Sequence, residues 1–154
     1  MKRAFAIAAV VGLASACLSL GNSPIAPVDE TPPSLVRLRP ELREPGDAGV
    51  LDIPVAGQIE IVFSEELDPA SLRAGISVRN KGLEVPLSIV APEATKNPAD
   101  VDREMTVTVQ AAGNTGFPLG VSRLVLKTLL IDQQGNAIVL EGEQPEVIYF
   151  FNVR

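Results

Sequence analysis

The chain has 154 residues, with 13 basic and 19 acidic side chains, a net charge of −6, no histidine and a single cysteine. An acidic surface repels phosphate, so nucleic-acid binding, which depends on clustered Lys and Arg, is not expected. The missing histidine removes Ser-His-Asp and Cys-His catalysis and the commonest zinc ligand, and one cysteine has no second thiol in the chain with which to form a disulfide.

Residues 1–16 read as a signal peptide. Lys2 and Arg3 give the positive start, Ala4 to Leu13 the apolar middle, and Ala14, Ser15 and Ala16 the small residues before a cut. Closing on Cys17, the segment resembles a bacterial lipoprotein signal. The resemblance implies lipid on the Cys17 sulfur and, after cleavage, on its new amino group. Such a membrane anchor works by burying hydrocarbon, at about 0.8 kcal/mol per CH₂. An ordinary secretory signal cut after Ala16 leaves the same residue as a free thiol. A membrane-spanning helix is not expected, because spanning takes roughly 20 consecutive apolar residues and this run gives way to Gly21, Asn22 and Ser23. Leu18 stands where the best-known lipoprotein sorting rule has an Asp for inner-membrane retention. The resemblance therefore favours a lipid-anchored place in the cell envelope, at the outer membrane, with a periplasmic or secreted protein as the alternative.

Removing residues 1–16 leaves 138 of the 154 and, with Lys2 and Arg3 gone, a charge of −8. That is the length of one domain able to bury its own core. Residues 17–33 form an expected linker, since Pro24, Pro27, Pro32 and Pro33 deny it a continuous hydrogen-bond ladder. Residues 34–154 form the expected domain.

From Leu35 onward the pattern is one short strand after another. Arg37, Arg39 and Arg43, interrupted by Glu41 and Glu44, read as a solvated strand edge. Between Gly57 and Ser64, Ile59, Ile61 and Phe63 alternate with polar residues, and only Val62 breaks the rule. Ala74 to Arg79 places Ile76 and Val78 inward. Asn80, Lys81 and Gly82 then turn the chain into Leu83 to Val90, where Leu83, Val85, Leu87 and Ile89 share a face. Pro86 lacks an amide donor, which suits an edge or a bulge. Residues 91–103 form an unusually long loop and a candidate contact site.

Met105, Val107 and Val109 mark the next strand, and Gly113 to Gly116 the next turn. Leu124 and Leu126 define a strand over Ser122 to Thr128, and Asp132 to Asn136 interrupts the pattern again. Val147, Tyr149, Phe151 and Val153 give the last inward set, while Ile148 and Phe150 make that strand apolar on both faces, as in a central strand or one under a loop. About seven short strands imply two packed sheets, because a single sheet leaves one apolar face wet. The expected fold is an all-β sandwich.

Two motifs in this order resemble the S-layer-type bacterial immunoglobulin-like domain over most of residues 34–154. One is the strand from Ile59 through Phe63, Ser64 and Glu65, followed by Asp68, Pro69, Ala70 and Ser71. The other is Asp132, Gln133, Gln134, Gly135 and Asn136, preceded by Pro118, Leu119 and a hydrophobic strand. The resemblance implies an immunoglobulin-like β-sandwich found in envelope and secreted proteins. The residues also have structural reasons of their own. Asp68 can cap a short helix whose first turn Pro69 favours, and the Gly135–Asn136 pair tolerates positive φ.

Glu65, Asp68, Asp132 and Asn136 are the candidate oxygen ligands for calcium, should the two turns meet. Catalysis is not expected. No carboxylate pair is singled out beside a sugar groove; Glu141, Glu143 and Glu146 read as a solvated acidic loop; Ser64 and Ser71 have no histidine to activate them; and with no Trp, one Tyr and five Phe, platforms for sugar stacking are scarce. The favoured expectation is a non-enzymatic, lipid-anchored envelope module that contacts an envelope protein or surface polymer through loops or an edge strand. Leu83, Val85, Leu87 and Ser88 are the candidate edge residues. The alternative is a calcium-stabilised or carbohydrate-recognising accessory domain of an exported enzyme system.

Overall fold

The computed structural model describes residues 30–42, 50–93 and 103–154. The signal peptide, Cys17, most of the linker, Arg43 and most of the long loop after Ala91 lie outside the described residues.

Among the described residues, nine strands and one short α-helix follow in the order β1 (Leu35–Arg39), β2 (Leu51–Ile53), β3 (Ile59–Phe63), α1 (Pro69–Gly75), β4 (Ile76–Asn80), β5 (Leu83–Val85), β6 (Leu87–Val90), β7 (Met105–Ala111), β8 (Gly120–Lys127) and β9 (Glu146–Val153). They form two sheets, a four-stranded one in the order β1-β3-β7-β6 and a five-stranded one in the order β2-β9-β8-β4-β5. Every pairing of these strands is antiparallel except that of β2 with β9.

Alternation places the core between the sheets. Ile59, Ile61 and Phe63 of β3, Met105, Val107 and Val109 of β7, Leu124 and Leu126 of β8, and Phe151 of β9 are all buried in one cluster. Phe117, arriving from the turn before β8, sets its ring edge-on against Phe151 at 5.5 Å between centroids, a favoured aromatic geometry. Gly116 admits it: with φ of 68°, this residue passes so close to Val55 that an added Cβ would sit 2.3 Å from the Val55 carbonyl oxygen. Phe117 N–H donates to that same oxygen at 2.8 Å.

Val62, the residue that broke the alternation, lies on the outer face of β3 yet is only 1% exposed. Its cross-strand neighbours are Arg37 on β1 and Thr106 on β7. Arg37 reaches across β3 to Glu104 at 3.1 Å, so its aliphatic stem crosses the strand above Val62. β9 sits inside the five-stranded sheet between β2 and β8. Its second apolar face is half-buried at Ile148 and Phe150, and the Arg123 guanidinium lies 5.3 Å from the centre of the Phe150 ring.

The sequence pattern needs correcting in two places. Leu83 to Val90 is not one strand with a shared face. β5 ends the five-stranded sheet and β6 ends the four-stranded one, with Pro86 between them where the chain crosses over. Pro86 cannot donate to either ladder, and within β5 Leu83, beside the Lys81–Gly82 turn, is 76% exposed while Val85 is buried. The other addition is β2, which with three residues is too short to display a period.

Candidate functional site

The segments that carried the two motifs dock on one another. Asp68 supplies the cap of α1, its Oδ1 accepting from Ala70 N–H at 3.0 Å, with Pro69 in the first turn. The Asp68 N–H donates to the Ile131 carbonyl at 2.8 Å. Ser71 Oγ closes the contact, donating to the Asp68 carbonyl at 2.8 Å and accepting from Ile131 N–H at 3.2 Å. Leu67 and Asp132 form a bridge between the two segments. At the strand end, Ser64 and Ser34 are doubly linked: Ser34 N–H donates to Ser64 Oγ, and Ser64 N–H to the Ser34 carbonyl, both at 2.9 Å.

Asp132 is 1% exposed, and burial of a carboxylate is costly unless donors surround it. Here its own loop provides them. Oδ1 accepts from the backbone N–H of Gln134 and of Asn136, each at 2.8 Å, and Oδ2 accepts from the Asn136 side-chain amide at 2.7 Å. Gly135, at φ of 92°, lets the chain fold tightly around the carboxylate. Glu66 joins from the other segment, its Oε2 accepting from the Gln133 amide at 3.1 Å.

Of the four candidate calcium ligands, Asp68 and Asp132 therefore lie on adjoining segments, and Asn136 points its amide nitrogen, a donor, at Asp132. Glu65 is buried just after β3. Asp68 and Asp132 direct oxygens at backbone amides, which gives them structural work as a helix cap and a loop clasp. Among the described residues no group of three or more carboxylate, thiol or imidazole side chains gathers to hold a metal ion.

The edge residues separate. Leu83 and Val85 lie on β5, whereas Leu87 and Ser88 lie on β6. Beside β6 runs an open groove. Pro69, Leu72 and Arg73 of α1 face Ile89 and Ala91 in one part of it, and Arg73 and Ile89 continue into the part lined by Val85, Pro86 and Leu87. Its walls mix aliphatic side chains with the charged groups of Arg73, Glu84 and Glu93.

The sequence reading missed a polar contact at the end of the core. Asn80 and Ser122, cross-strand partners on β4 and β8, are both buried, and the Asn80 amide donates to Ser122 Oγ at 2.9 Å and to the Val121 carbonyl at 3.2 Å. The signal available was a lone polar residue at an inward position of each strand. Among the described residues no helix is long and apolar enough to cross a membrane. Compared with family profiles, curated proteins and solved structures, the chain matches none.

Proposed function

We propose that the protein is a non-enzymatic, lipid-anchored component of the bacterial cell envelope, held on Cys17 at the outer membrane. In this reading an immunoglobulin-like sandwich of the S-layer type serves as a head that contacts an envelope protein or surface polymer. The observation that carries the proposal is where sheet structure begins among the described residues. The first bridge there is at Ser34, immediately after Pro32 and Pro33, at the point where a tether running from Cys17 is expected to hand over to a folded head. The docking of the Asp68 and Asp132 segments supports the immunoglobulin-like reading, because the two stretches that resemble the family brace each other.

A head of this kind needs no reacting group. The buried Asp132 carboxylate and Ser71 hydroxyl serve as clasps, and the contact surfaces of such a head are edges, loops and grooves. Membrane fractionation and detergent phase partition of wild type and Cys17→Ser test the anchor. The wild type should enter the detergent phase and the variant should lose the acyl-dependent part of that partition. Equal partition of the two proteins rejects the lipid handle.

A further inference from the structure

We propose that β6 is the seam of a two-fold dimer, in which the four-stranded sheets of two copies join edge to edge. Unpaired sheet edges invite strand addition, and charge is a common protection against it. Among the described residues, three of the four edge strands carry charge: Arg37 and Arg39 on β1, Asp52 on β2 and Glu84 on β5. The fourth, β6, reads Leu87-Ser88-Ile89-Val90 with none.

Backbone register shows what this edge offers. Ala112 N–H donates to the Pro86 carbonyl at 2.8 Å, and β6 pairs with β7 as Leu87 with Ala111, Ser88 with Gln110 and Ile89 with Val109. Hydrogen-bonded and non-hydrogen-bonded pairs alternate in an antiparallel ladder. Pro86, Ser88 and Val90 therefore turn their backbone groups toward β7, and Leu87 and Ile89 turn theirs away from it. An approaching strand meets two outward residues flanking one that faces inward.

That spacing is self-complementary. A second copy running antiparallel places Leu87 opposite its partner's Ile89, and Ile89 opposite its partner's Leu87, with both exchanging N–H and C=O pairs. Ser88 falls on the two-fold axis opposite its own copy. The half-buried Leu87 and Ile89 side chains then cover each other on the core side, while the two Ser88 hydroxyls meet on the outer face. A two-fold contact uses one patch on both subunits, so it closes as a dimer and leaves β1 as the outer edge at each end. The pairing itself rests on the β6 edge. The proposed lipid anchor enters only in that tethering two heads to one membrane raises their effective concentration.

Ser88→Cys in a Cys17→Ser background makes the test, because it leaves one thiol in the full chain. Across a non-hydrogen-bonded pair the Cα atoms lie about 4.5 Å apart, within the range a disulfide spans. Mild oxidation of cells and of detergent extracts should give a disulfide-linked dimer. Leu83→Cys on β5 and Val36→Cys on β1, in the same background, should not exceed collisional cross-linking. Ser88→Lys should weaken the dimer about tenfold in sedimentation, by placing two like charges opposite each other on the axis. If the Ser88→Cys protein cross-links no faster than the Leu83→Cys protein, or if the wild type stays monomeric throughout the concentration range, the proposal is overturned. The same holds if the thiol of the Ser88→Cys protein is shielded from maleimide in a monomer, since a foreign strand or residues 94–102 of the same chain would then hold the edge. Because the trap does not need Cys17, it can succeed where the lipid anchor fails and fail where the anchor holds.

Discussion

Asn80 and Ser122 face each other across β4 and β8, joined by a 2.9 Å hydrogen bond at a depth where Ser122 has no exposed surface. Removing one partner of a buried pair costs more than the bond is worth, because the other is left unsatisfied. Asn80→Ala should therefore destabilise the fold by about 1–3 kcal/mol. Ser122→Ala should cost less, since the Asn80 amide keeps the Val121 carbonyl at 3.2 Å. Urea unfolding midpoints of the two variants check the order.

Asp132 gathers three donors from its own loop. Asp132→Ala should cost about 1–3 kcal/mol by stranding backbone amides, and Asp132→Asn should fall between alanine and wild type, because one amide oxygen can still accept from Gln134 and Asn136. Calcium at millimolar concentration should leave the wild-type melting midpoint unchanged. A rise in that midpoint that disappears in Asp132→Asn would show these oxygens serving a cation.

Gly75 ends α1 against Leu130. In an open helix, alanine is better than glycine by about 1 kcal/mol. Here the added Cβ would lie 2.3 Å from Leu130 Cγ, and overpacking of a filled core costs about 1–3 kcal/mol. Packing wins, so Gly75→Ala should lower stability in chemical denaturation, with Leu130→Ala in the same chain restoring part of the loss.

Ser77 supplies the opposite sign. Its hydroxyl is buried with no hydrogen-bond partner among the described residues, and a buried unpaired hydroxyl is a cost to the folded state. Ser77→Ala should be neutral or stabilising by up to about 1 kcal/mol, and a loss of more than that in thermal melts would reveal a partner for the hydroxyl.

Strands with a clear two-residue period were legible in the sequence. β3, β7 and β9 show it because each buries one face over five or more residues. The turn between β4 and β5 was legible from Gly82, which readily takes the positive φ a tight hairpin requires, and Lys81 and Gly82 do take φ of 50° and 85°. The crossover at Pro86 was harder to see. Alternation continues through the proline in sequence while the strand changes sheets in space, so periodicity alone made one strand out of two. The structure sets the candidate calcium ligands Asp68 and Asp132 on adjoining segments, but their chemistry depends on where each lone pair points. A carboxylate folded onto its own loop, such as Asp132, has the same sequence signature as one opened to a cation. Asn80 reads from the sequence as part of a turn and Ser122 as the start of a strand, because their pairing depends on the β4–β8 register.

The most direct measurement is the intact mass of the mature protein recovered from the cell envelope. A polypeptide beginning at Cys17, heavier than its sequence by a diacylglyceryl group and an amide-linked acyl chain, is the predicted result. An unmodified polypeptide found only in the aqueous phase would contradict it.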